Sequence, residues 1–307
     1  MRMPTLPKTT TPSAPPIVID RKLYRTRRER AARVFSEHDF LHRRVIADIV
    51  DRLETVTRQF ETAAFFGAAG LETMLTEKAG VRRVISVDLA QSHLGHAHLG
   101  DHGGNSETAT RLRLVADDEA PPFAPASLDL IVSLLLLHQT NDLVGALAQY
   151  RQALKPDGLL IAALFAEDTL SSLRGALRTA ETQADGRVAP RVLPFASVRD
   201  LGAALQRAGF ALPVADIDRI QVAYSDPKRL IDDLRGMGET NSLMKRGGAL
   251  SRAAAAQALA MLQTETPEIG FDIVTLTGWA PAASQQQPLK PGSAKTSLAD
   301  AVNRRKS

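Results

Sequence analysis

The sequence predicts a doubly wound, Rossmann-like α/β sheet, and three observations carry that prediction. Two nearly unbroken apolar runs, 128–137 and 159–165, read as strands buried on both faces of a parallel sheet. Between them Leu143, Ala146, Leu147, Tyr150 and Leu154 recur at helical spacing, and Lys155-Pro156-Asp157-Gly158 stops that helix. Upstream, a strand at 62–66 runs into a small-residue turn, a helix and a second strand. That second strand ends in Asp88, about twenty positions after Gly67, the spacing of a nucleotide-binding βαβ unit. In such sheets ligands lie at the carboxyl ends of the strands, where the polar residues of this chain fall.

The chain has 307 residues, of which 44% are hydrophobic and 5% aromatic, enough for a sizeable core. A formal net charge of +4 is mild, and a nucleic-acid role would need that charge gathered on one face. With no cysteine, the chain has no disulfide, no thiolate metal site and no cysteine nucleophile. No apolar run reaches the ~20 residues of a membrane span.

Residues 1–19 are rich in Pro, Thr and Ser and read as a disordered tail. Residues 20–33 carry seven basic side chains against two acidic ones, with Arg21, Arg25 and Arg28 on one helical face. That helix is expected to be solvated, or to dock an acidic partner. A second helix, 40–57, sets Leu41, Val45, Ile49 and Leu53 on one side. After strands at 62–66 and 81–89 comes a stretch holding His93, His96, His98, Asp101 and His102. Its spacings could present ligands to a metal, but compositional bias alone supports one and none is expected. A strand at 111–116 ends in Asp117 and Asp118. Helices are expected from Asp168, which would cap the first, at 197–210, at 226–235 and at 249–263, with strands at 212–224 and 271–280. The joint Gly236-Met237-Gly238-Glu239-Thr240-Asn241 reads as a glycine stop followed by a Thr or Asn cap. The expected domain is 20–282, with cap insertions near 166–195 and 225–265 and a second disordered tail at 283–307.

Asp129-Leu130-Ile131-Val132 and Leu154-Lys155-Pro156-Asp157-Gly158 resemble the recurring pieces of class I S-adenosylmethionine-dependent methyltransferases (type-11 domain). A narrower resemblance rests on Leu137-His138-Gln139-Thr140-Asn141-Asp142-Leu143, Asp168-Thr169-Leu170 with Arg174, Pro194-Phe195, Arg207-Ala208-Gly209-Phe210, Ile220-Gln221-Val222-Ala223-Tyr224 and the 236–241 joint. These residues are similar to the methyltransferase-like assembly factors of respiratory complex I, regarded as protein-arginine hydroxylases. The likeness runs from about residue 19 to residue 280. It implies S-adenosylmethionine as cofactor and a complex I subunit as protein substrate. It also implies no nucleic acid and no membrane span, with peripheral membrane association allowed. A cytoplasmic location follows for a bacterial chain and a mitochondrial one for a eukaryotic chain. The first strand and turn depart from the pattern: Phe65 stands where an acid is usual and Ala69 where a second glycine is usual.

The expected cofactor-binding residues are therefore Gly67, Ala68, Asp88, Leu89, Asp117 and Asp118, with Asp88 and Asp117 accepting from ribose and adenine. His138 is the candidate general base, a role that suits imidazole near neutral pH; a hydrogen-bonded structural histidine is the alternative. No His/carboxylate iron triad is legible. Three functions are expected in competition: an enzyme modifying a protein arginine by hydroxylation or methylation, a small-molecule methyltransferase, and a non-catalytic assembly chaperone.

Overall fold

The structure is a computed structural model that describes residues 15–67, 70–95, 110–264 and 268–285. The chain opens with α1 (Arg21–Ala31), α2 (Phe35–His38) and α3 (Phe40–Glu54). Then come β1 (Thr62–Phe66), α4 (Thr73–Glu77), β2 (Arg83–Asp88), α5 (Gln91–Gly95), β3 (Thr110–Val115) and β4 (Leu128–Leu134). A 3-10 turn (Leu137–Gln139) leads to α6 (Leu143–Ala153), β5 (Leu154–Phe165), α7 (Ser171–Asp185), α8 (Val198–Arg207) and β6 (Ala211–Ala223). The remainder is α9 (Pro227–Gly236), α10 (Arg252–Thr264) and β7 (Glu268–Trp279).

Among the described residues the strands form one sheet in the order β3-β2-β1-β4-β5-β7-β6. All pairings are parallel except β5 with β7 and β7 with β6. The order reverses between β1 and β4, which opens a crevice at their carboxyl ends. All residues of β4 are buried, as its apolar run requires. Each such Leu or Ile contributes about 1.5–3 kcal/mol by leaving water. One face of the sheet is covered by α3, α4, α7, α9 and α10, the other by α6 and α8. Among the described residues no helix is long and apolar enough to cross a membrane.

Several expectations change in the structure. Thr240 and Asn241 cap no helix: α10 starts at Arg252, and Asn241 Oδ1 accepts instead from Leu243 N–H at 3.0 Å. β4 stops at Leu134 rather than 137, because Leu135 takes a left-handed conformation (φ 51°) that turns the chain off the sheet. Asp168 does not cap α7 with its side chain; left-handed Leu170 (φ 58°) holds that position, and Ser171 N–H bonds the Asp168 carbonyl instead. Val18 and Ile19, read as tail, are tied down: Ile19 bridges Leu243, and Met244 N–H donates to the Val18 carbonyl at 2.8 Å. Residues 1–14 and 286–307 of the expected tails lie outside the described residues.

Candidate functional site at the carboxyl ends of the strands

Asp88 closes β2 and is fully buried. Its Oδ1 accepts from Ala90 N–H at 2.8 Å, the short-range bond that starts α5. Gly67 follows β1 with φ 139°, and a Cβ there would lie 2.7 Å from the Leu134 carbonyl oxygen, so only glycine fits. The surprise is what faces Asp88. Arg28 of α1 donates from Nε to Oδ1 at 3.2 Å and from Nη2 to Oδ2 at 2.5 Å, and Nη2 also reaches the Gly67 carbonyl at 3.5 Å. Both side chains are out of water. Burial works against the guanidinium charge, and the Asp88 carboxylate more than compensates, holding Arg28 firmly protonated.

Two helical turns earlier α1 repeats the device. Arg21 donates to Asp117 at 2.6 Å and also to buried Asp118, just beyond β3. Its Nη1 bonds the Gln139 carbonyl at 3.0 Å. Both guanidinium carbons lie over the Tyr24 ring, 5.4 and 5.7 Å from its centre, so the ring is held by two cations. The basic face therefore does not await an acidic partner: Arg21 and Arg28 turn inward onto the chain's own carboxylates. Only Arg25 stays half-exposed, 3.8 Å from Glu29. Glu29 in turn accepts from the Gln91 and Ser92 N–H groups at 2.8 and 2.9 Å and pins α1 to the start of α5. Leu89 is half-buried and packs against the core. Ala68, Ala69, His96, His98, Asp101 and His102 lie outside the described residues. His93 is buried with its ring edge against Phe35, 5.1 Å between centres. Among the described residues no group of acids and histidines is arranged to hold a metal ion.

His138 sits in the 3-10 turn after β4, its side chain almost fully buried. Its Nε2 lies 2.8 Å from Glu239 Oε2, which also accepts from Gln139 Nε2 at 3.0 Å. Burial raises the Glu239 carboxyl, but His138, Gln139 and Arg28 together outweigh it and hold the group below its usual range. An ionised carboxylate only accepts, so the proton between them sits on His138 Nε2. Neutral His138 then carries its lone pair on Nδ1, which makes no hydrogen bond to the protein. The ring packs on Phe165 and Phe195, with centres 4.9 and 5.8 Å away. Ser242 donates to Gln139 Oε1, and Asn141 accepts from the Val18 and Ile19 N–H groups, both at 2.8 Å. The Leu137–Leu143 motif and the loop after α9 thus form one network that also clamps the entry to α1. Sequence reading treated Glu239 as part of a turn; an acid directly after a left-handed glycine (Gly238, φ 82°) was the signal available.

Beside the dyad lies a cavity of about 240 Å³. Phe165, Phe195, Phe271 and Leu173 give it apolar walls, and Glu239 and Asn241 supply polar groups. Asp129 and Lys155, by contrast, pair at 3.0 Å near the amino ends of β4 and β5, away from this chemistry. Their place in the sequence pattern is structural.

The comparisons agree with this architecture. A family model described as "Methyltransferase domain" matches residues 66–162. The zebrafish (Danio rerio) protein named "Arginine-hydroxylase NDUFAF5, mitochondrial" is 36% identical over 92% of this chain and 89% of its own length. The YcgJ protein of Bacillus subtilis superposes with a TM-score of 0.52 at 14% identity, over 77% of this chain and 98% of that one. A Haemonchus contortus phosphoethanolamine N-methyltransferase, solved in complex with S-adenosyl-L-methionine, superposes with a TM-score of 0.50 at 16% identity, over 78% of this chain and 53% of that one. At that identity the solved structures establish the fold, the class I methyltransferase sheet. The zebrafish relative spans nearly the whole chain, and the chain belongs to the methyltransferase-fold family of the arginine-hydroxylase NDUFAF5.

Proposed function

We propose that this chain binds S-adenosylmethionine at the carboxyl ends of β1 to β3 and modifies an arginine side chain of a respiratory complex I subunit. The His138–Glu239 dyad carries the proposal: it joins two family-like motifs in one buried acid–base pair beside a cavity. The cleft suits the cofactor's chemistry. Tyr24 Oη, Arg28 Nη1 and Asp118 Oδ2 are buried and make no hydrogen bond to the protein. Each such group costs about 1–3 kcal/mol when left unmet, so the cluster favours a guest rich in hydroxyl, amino and carboxylate groups. Asp88 and Asp118 would accept from ribose or amino groups, and Arg28 and Tyr24 would donate. When bound, the cofactor supplies an electrophilic methyl group.

The chain's own residues do the rest. The aromatic walls exclude water around the long stem of the target side chain, which strengthens every charge interaction inside. His138 Nδ1 accepts a proton, and Glu239 stabilises the imidazolium that forms. In methylation that proton comes from the guanidinium nitrogen as it takes the methyl group from the sulfonium; hydroxylation needs in addition dioxygen and two electrons from a separate donor. The relative's name puts hydroxylation ahead. The test is intact-peptide mass spectrometry of complex I subunits from wild-type and deletion cells. Loss of one oxygen mass from an arginine peptide supports hydroxylation, and loss of a methylene mass supports methylation. Identical peptides with impaired assembly would move the function to a non-catalytic chaperone.

A further inference from the structure

The cavity beside the dyad does not end at its apolar walls. It opens into a surface groove of about 640 Å³, with Leu177, Arg191, Val192 and Phe195 common to both. The groove runs between α7 and the 188–195 segment, with Pro190 and Pro194 along one side. Its charges are uneven. Arg174, Arg178 and Arg191 line it against Glu167. Arg191 is already neutralised by Glu181 at 2.5 Å. Arg174 donates only to the Thr169 and Leu193 carbonyls, at 3.4 and 3.3 Å, and so keeps its charge. Arg178 is exposed and makes no ion pair among the described residues. Glu167 offsets one of these cations, so the groove keeps a net positive charge along a partly apolar course that leads to Glu239 of the dyad.

We infer that this groove docks an extended, acidic segment of the protein partner, whose central side chain enters the aromatic cavity. The inference rests on the reading of the chain as acting on a protein side chain. Three features favour a polypeptide. The groove continues from the cavity along α7 and the 188–195 segment, the cavity of about 240 Å³ has room for one long side chain, and Glu239, Thr240 and Asn241 in its lining call for a guest with hydrogen-bond donors at its tip. Arg174 and Arg178 set the flanks as acidic by charge complementarity. The proline-rich wall stays rigid on binding, because its backbone loses little freedom.

Fluorescence anisotropy on the full chain tests this with two short labelled peptides. Each has a central arginine between leucines; one has glutamate flanks and the other lysine flanks. The glutamate peptide should bind and weaken with added salt, and the lysine peptide should not bind. Arg178→Glu should weaken the glutamate peptide about fivefold or more, the scale of about 1 kcal/mol for one exposed ion pair. Arg199→Glu, on exposed α8 across the sheet, changes net charge equally and should leave binding unaltered. Equal affinity for the two peptides, or equal effects of the two substitutions, would overturn the docking site. So would preferential binding of vesicles of phosphatidylglycerol and phosphatidylcholine, which would assign the basic rim to a lipid surface. Peptide binding needs neither cofactor nor turnover, so its failure leaves the active-site reading standing, and an inactive site leaves the groove standing.

Discussion

His138 Nε2 lies 2.8 Å from Glu239 Oε2, although about a hundred residues separate the two in the chain. The carboxylate fixes the imidazole tautomer, Gln139 donates to the carboxylate, and Ser242 in turn holds Gln139. Glu239→Gln keeps the shape but removes the charge that stabilises imidazolium. Modification of the arginine target should fall by about 10²-fold or more, the low end for losing general-base assistance. Restoring the gene in deletion cells and quantifying the modified peptide measures it. Full modification by the variant would remove the dyad from the mechanism.

Arg28 and Asp88 form a pair with no water around it. Arg28→Ala should destabilise the fold by about 3–5 kcal/mol, because it leaves a buried carboxylate alone. The double variant with Asp88→Asn should recover much of that loss. Urea titrations of the three variants and wild type complete the cycle. Additive losses would mean that the pair is not coupled.

Arg28 and Tyr24 of α1 would hold the cofactor together with Asp88, whose two oxygens Arg28 already binds. Adding S-adenosylmethionine should therefore slow amide exchange across Arg21–Ala31. Exchange in α1 that rises or stays constant would show that the helix takes no part in holding the cofactor.

His42 is buried, and desolvation, aided by Arg28 and His138 and opposed by Glu239, pushes its pKa down to about 3. The unfolded chain takes up that proton near pH 6.5 and the folded chain does not, so stability falls as pH drops below 6.5. The loss should be about 2 kcal/mol by pH 5. Glu239, held low in the fold, works in the same direction only below its ordinary range. Urea midpoints from pH 7 to 5 should fall for wild type and flatten for His42→Leu; parallel slopes would sink the assignment.

Gly67→Ala places a methyl against the Leu134 carbonyl at a backbone angle that side-chain-bearing residues rarely adopt. A loss of about 1–3 kcal/mol is expected. A thermal midpoint equal to wild type would mean that the β1–β4 crevice yields easily.

The sheet was legible because nearly unbroken apolar runs such as 128–137 and 159–165 have few alternatives to a buried strand. Asp88, Asp117 and His138 were legible as strand-end polar groups. Their partners were not. Helical spacing grouped Arg21 with Arg25 and Arg28, but spacing alone does not say which way a basic face turns. The inward face is Arg21, Tyr24 and Arg28, and only the tertiary placement of β2 and β3 under α1 selects it. Glu239 was hidden for the same reason: a carboxylate in a turn has no periodicity to betray its partner.

The position of α1 also orders the birth of the fold. The helix is synthesised before the strands it docks on: Arg28 waits for a carboxylate 60 residues later and Arg21 for acids 96 and 97 residues later. The entry strand waits longer still, for Leu243 and Met244. Throughout that interval a strongly basic segment trails in solvent, open to anionic surfaces and proteases, while the sheet assembles behind it. Docking of α1 is thus a late, long-range closure, and lengthening the delay by slow translation of the last third should be felt first at the amino terminus.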